Sequence, residues 1–222
     1  MPIQRHRAPL SAAALRAPAL RRAVFAALLA AALPAVHAAP PEPVRNEVGG
    51  VRFEREATVA GQRLQLNGAG IRTKIVFKVY AAALYLPQRT RSPEAVWTPD
   101  GPRRMQVHML RGIQADELGR MFTKGMEKNA TREEFARSIP GTIRMGEIFA
   151  QQKRLSPGDV FTLDWIPGTG TVISINGKPA GEPVREPEFY TALIKIWLGH
   201  EAADDGLKAA LLGQSGQPGT AD

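Results

Sequence analysis

Leu66–Pro87 reads LNGAGIRTKIVFKVYAAALYLP, and the way this stretch is divided decides how the rest of the chain folds. From Ile75 onward it is apolar enough for a buried strand, and the pattern predicts one long strand from about Ile71 to Leu86. Successive side chains of a strand point to opposite faces. The odd positions, Ile71, Thr73, Ile75, Phe77, Val79, Ala81, Ala83 and Tyr85, read as the face packed by helices. The even positions run from Arg72, Lys74 and Lys78 through Tyr80 to Ala82, Leu84 and Leu86, polar first and apolar later. Such a gradient suits an exposed face running into the core, or a cleft with a cationic mouth and a greasy depth. A cleft of that kind would hold an amphipathic anion, its charged group on the guanidinium and its hydrocarbon on Ala82 and Leu84.

Outward from this stretch, strands and helices segregate. VRFEREATVAGQRLQLNG (51–68) alternates and breaks at Ala60-Gly61-Gln62, a first hairpin. In RRMQVHML (103–110), Met105, Val107 and Met109 alternate with Arg104, Gln106 and His108, a half-buried strand whose histidine faces the polar side. Leu118, Met121, Phe122, Gly125 and Met126 form one stripe of an amphipathic helix that Asn129 closes. Thr131 and Glu134 stand at capping-box spacing for a second helix, which Pro140-Gly141 is expected to interrupt. Two strands, VFTLDWIP (160–167) and GTVISING (170–177), end at Asn176-Gly177, a dipeptide that favours a two-residue hairpin turn. A helix from Pro187 carries Phe189, Tyr190, Leu193, Ile194, Trp197 and Leu198 on its apolar stripe, and a short helix runs from Asp204-Asp205 to Leu212. Strands, then helices, then strands and terminal helices predict an α+β domain, an antiparallel sheet covered by helices.

The N-terminus reads as targeting rather than fold. Arg5, Arg7, Arg16, Arg21 and Arg22 precede or flank AVFAALLAAALPAV, and Val36-His37-Ala38 offers a signal-peptidase site. Residues 1–38 are therefore expected to be a cleaved export signal to a periplasm, 39–46 a proline-rich linker, 47–213 the domain and 214–222 a disordered tail. The formal charge of +8 falls to +3 once the five leader arginines are subtracted. The remaining charges alternate in sign, which argues against a nucleic-acid footprint. The apolar leader is too short for a spanning helix, so no stable membrane insertion is expected after cleavage. With no cysteine and only His108 and His200 in the mature chain, neither a thiol nucleophile nor a metal site is expected. The same reading leaves no place for a cofactor.

Three segments, GAGIRTKIVFKVYAAALYLP, DWIPGTGTVISINGKPAG and FYTALIKIWLGHEAADDGLKAALLG, resemble the bacterial chalcone-isomerase-like proteins. The likeness covers about residues 46–213. It implies an open-faced β-sandwich, a large antiparallel sheet under a helical layer. In plant chalcone isomerases an arginine after a GAGxR-type turn organises the substrate and stabilises negative charge as a phenolate adds to an enone; Arg72 matches it. Fatty-acid-binding relatives use the equivalent arginine for the carboxylate. The strand threonine of the plant site aligns best with Tyr80. Its helix tyrosine and asparagine become Leu118 and Gly125, and its C-terminal pair becomes Ile196 and Trp197.

The resemblance thus implies a site of Arg72 and Tyr80 as anchoring or catalytic groups, with Lys78, Ala82, Leu84, Leu118, Ile196 and Trp197 around the ligand. Three functions follow: binding of a small amphipathic or phenolic anion, an intramolecular lyase acting on an enone, and a structural or partner-binding module. No particular protein partner is implied.

Overall fold

The computed structural model describes residues 46–98 and 100–214. The expected signal segment, all of the linker except Asn46, and all of the tail except Gln214 lie outside the described residues. A small strand pair, β1 (Glu47–Val48) and β2 (Val51–Arg52), precedes β3 (Glu56–Val59), β4 (Gln62–Lys74) and β5 (Phe77–Leu86). Helix α1 (Glu94–Trp97) leads to β6 (Arg103–Met109) and β7 (Ile113–Gln114). Then come α2 (Ala115–Asn129), α3 (Arg132–Ala150), β8 (Arg154–Leu155), β9 (Val160–Ile166), β10 (Gly170–Ile175) and β11 (Lys178–Pro179). The chain continues through α4 (Pro187–Leu198) and α5 (Asp205–Leu211). Seven strands form one antiparallel sheet in the order β11-β10-β9-β6-β5-β4-β3, so the fold is α+β, a helical layer on one face of a large sheet.

The opening stretch is two strands, not one. β4 and β5 pair as a hairpin, with Lys74 opposite Phe77 and only Ile75 and Val76 in the loop. Ile75 takes φ 60°, a conformation that glycine or asparagine usually supplies. No turn residue marks the reversal, so the apolar run conceals it. The faces are also exchanged relative to the expectation. Tyr80, Ala82, Leu84 and Leu86 belong to the large core under the helices, whereas Ala81, Ala83 and Tyr85 pack with Phe53, Val59, Leu64, Leu66 and Ala69 on the other side.

The remaining signals place their elements well. Ala60-Gly61 turns β3 into β4, and Asn176 (φ 50°) with Gly177 (φ 79°) turns β10 into β11, both positive as a type I′ loop requires. The Thr131–Glu134 capping box forms in both directions and starts α3. Yet α3 runs unbroken through Pro140. Its first half is fixed by the box, and its second half buries Met145, Ile148 and Phe149, so tertiary packing carries the helix across the missing amide. Trp197 and Trp165 are core residues, 0% and 6% exposed.

Residue 72 is positioned by α5. Leu207, Leu211 and Leu212 bring this helix onto β4 at Gly68 and Gly70, while the Asn67 side chain donates to the Leu211 carbonyl at 2.7 Å. Asp204 caps α5 through the Leu207 amide and accepts the Thr73 amide at 2.9 Å, fastening the helix start beside Arg72.

Candidate functional site

Arg72 and Tyr80 do share a face, because they are direct partners across the β4–β5 ladder rather than neighbours along one strand. The Arg72 guanidinium carbon stands 5.7 Å from the Tyr80 ring centroid, within cation–π range. The register shifts immediately beyond this pair, between Arg72 and Thr73. Two guanidinium nitrogens, Nε and Nη1, are buried without a hydrogen-bond partner among the described residues. A buried donor of that kind is costly unless something accepts from it.

Both residues open onto a cavity of 370 Å³ between the sheet, α2 and the loop after α4. Its buried floor is Tyr80, Phe122 and Ile196, with half-buried Met121 and Gly125 beside them. Lys74, Lys124 and Lys128 stand exposed at its rim, and Glu201, Ala202 and Ala203 close the far wall. Glu201 is the single carboxylate of this lining, and it is engaged by Lys128 at 2.5 Å. A second cavity of 610 Å³ shares Arg72, Lys74 and Met121 and extends along Ile75, Phe77 and Val79 toward Arg111 and Arg154. The chemistry on offer is an unsatisfied cationic donor above an aromatic and aliphatic floor, inside a rim of positive charge.

Tyr80 is held as a neutral phenol. Its oxygen accepts from Trp197 Nε1 at 2.8 Å, so the hydroxyl proton remains for donation. Burial raises its pKa from 10.0 to about 12, partly opposed by the Arg72 charge and the Trp197 bond. Burial likewise takes Tyr85 to about 12 and moves Tyr190 upward. A neutral form stabilised by the fold contributes stability below the unfolded pKa and loses it as pH rises through the folded one. The folded protein should therefore show no tyrosinate absorbance at pH 10, and ionisation should arrive together with unfolding above it. Appreciable phenolate in the folded protein at pH 10 would refute this burial.

The expected site residues separate into those that line the cavity and those that do not. Arg72, Tyr80 and Ile196 line it together. Ala82 and Leu84 do not form its floor: both are 0% exposed, covered by the helical layer. Leu118 is a core residue one turn from the lining, and Trp197 lies behind Tyr80, acting on the site through its hydrogen bond. Lys78 is exposed beside the hairpin tip, opposite Thr73, and lines neither cavity. His108 is on the other face of the sheet, its ring 5.0 Å from Phe53, because β6 directs Met105, Val107 and Met109 to the helices. Asp164 pairs with Arg104 at 2.6 Å.

Sequence reasoning missed Met121, Phe122, Lys124 and Lys128 as lining residues, although Met121 and Phe122 belonged to the recognised stripe. It also missed Asn129, whose side chain bonds the Gly125 carbonyl and both the amide and carbonyl of Glu201 at 2.8–2.9 Å. This clamp ties the end of α2 to the cavity's far wall. Among the described residues no group of three or more potential ligand side chains is arranged to hold a metal ion, and no helix is long and apolar enough to cross a membrane.

Residues 45–213 match the profile described as chalcone isomerase-like. Among solved structures, a fatty-acid binding protein of Arabidopsis thaliana is similar, with a TM-score of 0.61 and 14% identity. That match covers 74% of this chain and 92% of the Arabidopsis chain, and at such identity it establishes the shared fold. No curated protein sequence matches the chain.

Proposed function

The chain belongs to the chalcone isomerase-like family, and we propose that it is an exported binding protein for a small amphipathic anion, held by Arg72. One observation carries this reading: two buried nitrogens of Arg72 lack an acceptor, and Arg72 lines a cavity whose floor is Tyr80, Phe122 and Ile196. A carboxylate supplies acceptor oxygens to those donors, and its hydrocarbon covers the apolar floor. The cavity volume falls within the range usual for small-molecule sites. The lysine rim raises the local concentration of anions. The fatty-acid binding described for the Arabidopsis protein supports the same ligand chemistry. Export to a periplasm rests on the arginine-flanked apolar leader and its Val36-His37-Ala38 site.

The test compares a saturated fatty acid with its methyl ester on delipidated protein. A charge-assisted hydrogen bond is worth roughly 1.5–3 kcal/mol, so the acid should bind about 10- to 100-fold more tightly than the ester. Arg72→Ala should erase that preference while the fold survives. Equal affinity of acid and ester for the wild type would remove the anchor.

A second reading has the Tyr80 hydroxyl in its favour. With Arg72 it offers two preorganised donors for an oxygen on which charge develops, as enone closure requires. That reading needs Arg72-dependent loss of chalcone absorbance above the rate in buffer, and no acceleration removes it.

A further inference from the structure

The β4–β5 hairpin ends in three consecutive exposed apolar residues, Ile75 (87%), Val76 (76%) and Phe77 (50%). Only two other large hydrophobic residues of the described chain are comparably exposed, Ile139 and Ile143, and they stand on α3. Exposure of this kind, concentrated at one projecting point, marks a contact surface. The tip is also conformationally costly. Ile75 keeps φ 60° although it is β-branched, where glycine would be free of strain.

Its surroundings define the partner. Lys74 and Lys78 flank the tip on both strands, and the Arg111 guanidinium lies 4.2 Å from the Phe77 ring centroid. Glu117 is the single carboxylate in the lining of the larger cavity; Glu201, which lines the smaller cavity with Lys74, is paired with Lys128, and Asp204 is committed to the Thr73 and Leu207 amides. Apolar residues at a point, ringed by cations, match a bilayer interface with anionic headgroups: the side chains enter the acyl boundary and the cations remain at headgroup level. We propose that the Lys74–Lys78 hairpin tip docks peripherally on an anionic phospholipid surface. Ile75 and Phe77 also line the 610 Å³ cavity that shares Arg72, so docking brings the binding site's mouth to the membrane. The purpose of docking rests on the binding function proposed above, but docking itself is measured without a ligand.

Flotation with vesicles tests it, using residues 39–222, the chain expected after cleavage of the apolar leader, which keeps every described residue. The wild type should float with mixed phosphatidylglycerol–phosphatidylcholine vesicles, remain behind with pure phosphatidylcholine, and be released by high salt. Val76→Asp puts a carboxylate at an exposed position that lines neither cavity, and it should weaken flotation about 10-fold or more while leaving fatty-acid affinity in solution unchanged. Ile75→Gly should weaken flotation yet raise the midpoint of thermal unfolding, which separates docking from misfolding. A wild type that stays behind with anionic vesicles overturns docking, even where fatty acid binds in solution. So does a Val76→Asp chain that floats as well as the wild type, or wild-type chains that associate through the tip with each other instead of with lipid. An Ile75→Gly chain of lower stability would assign the isoleucine to the fold and overturn the reason given for it.

Discussion

An Arg72→Met chain is expected to be more stable than the wild type and to lose its hold on carboxylate ligands. In the folded protein Nε and Nη1 of Arg72 are buried without acceptors, and each unsatisfied donor costs roughly 1–3 kcal/mol. The guanidinium recovers part of this from the Tyr80 ring at 5.7 Å, an interaction worth about 0.5–2 kcal/mol. Methionine fills the space of the arginine stem with a flexible apolar chain and brings no donor. The net gain should be about 1 kcal/mol, which for a domain of this size raises the unfolding midpoint by about 3 °C. Fatty-acid affinity should fall by about 10- to 100-fold, the loss of a charge-assisted hydrogen bond. Stability and binding then move in opposite directions, the signature of a group retained for its ligand. A chain that unfolds earlier yet binds as before would instead make Arg72 a tie for the hairpin.

That expectation rests on a pairing the sequence announced by the wrong route. Arg72 and Tyr80 share parity along the chain, which suggested one strand with both on a face. They share a face because the chain reverses at Ile75-Val76 and sets them opposite each other. Elsewhere turns announce themselves through residues that tolerate positive φ, as at Ala60-Gly61 and Asn176-Gly177, and those hairpins were legible. At the concealed reversal the loop residues are apolar and β-branched, so local chemistry speaks for strand while long-range pairing imposes a turn. Places where local preference and fold disagree tend to be functional. Here the disagreement coincides with the exposed apolar tip. Pro140 is the converse case: a strong local signal for a break, overridden by the buried second half of α3.

The site was legible only where one segment supplied it. Arg72 and Tyr80 come from the opening stretch, and Ile196 from the resemblance. Lys74 of the rim comes from the opening stretch too, but the rest of the rim and the wall come from α2 and from residues 201–203, which reach the cavity through packing between distant parts of the chain. Lys124 and Lys128 fall outside the apolar stripe of α2, and nothing local distinguishes a lysine beside a cavity from one beside bulk water. Asn129 read as a helix terminator; its three bonds to Gly125 and Glu201 depend on where α4 ends, a matter of tertiary structure. Ala82 and Leu84 show the opposite error. Their apolar character suits a cleft floor as well as a core face, and the helical layer already occupies that depth.

Gly68→Ala should be strongly destabilising for so small a substitution, and its effect should reach the cavity. A Cβ at residue 68 would stand 2.0 Å from the Ala210 carbonyl oxygen and 2.7 Å from that of Leu211, both backbone atoms. Backbone of a helix cannot turn aside as a side chain can, so α5 must lift from β4. Leu207 and Leu211, 1% and 0% exposed, would lose part of their burial, and the Asn67 bond to the Leu211 carbonyl would break. Overpacking of this kind typically costs about 1–3 kcal/mol, and the backbone collision places this case at about 3. The unfolding midpoint should then drop by about 10 °C. Asp204 joins the α5 start to the Thr73 amide, next to Arg72, and Ala202–Ala203 form the adjoining cavity wall. Fatty-acid affinity should therefore fall even at temperatures where the variant remains folded. Amide exchange should quicken first in α5 and at Thr73, ahead of the central strands. A Gly68→Ala chain with wild-type stability would mean that α5 does not lie against this glycine. A destabilised chain with unchanged binding would show that α5 supports the sheet without shaping the site.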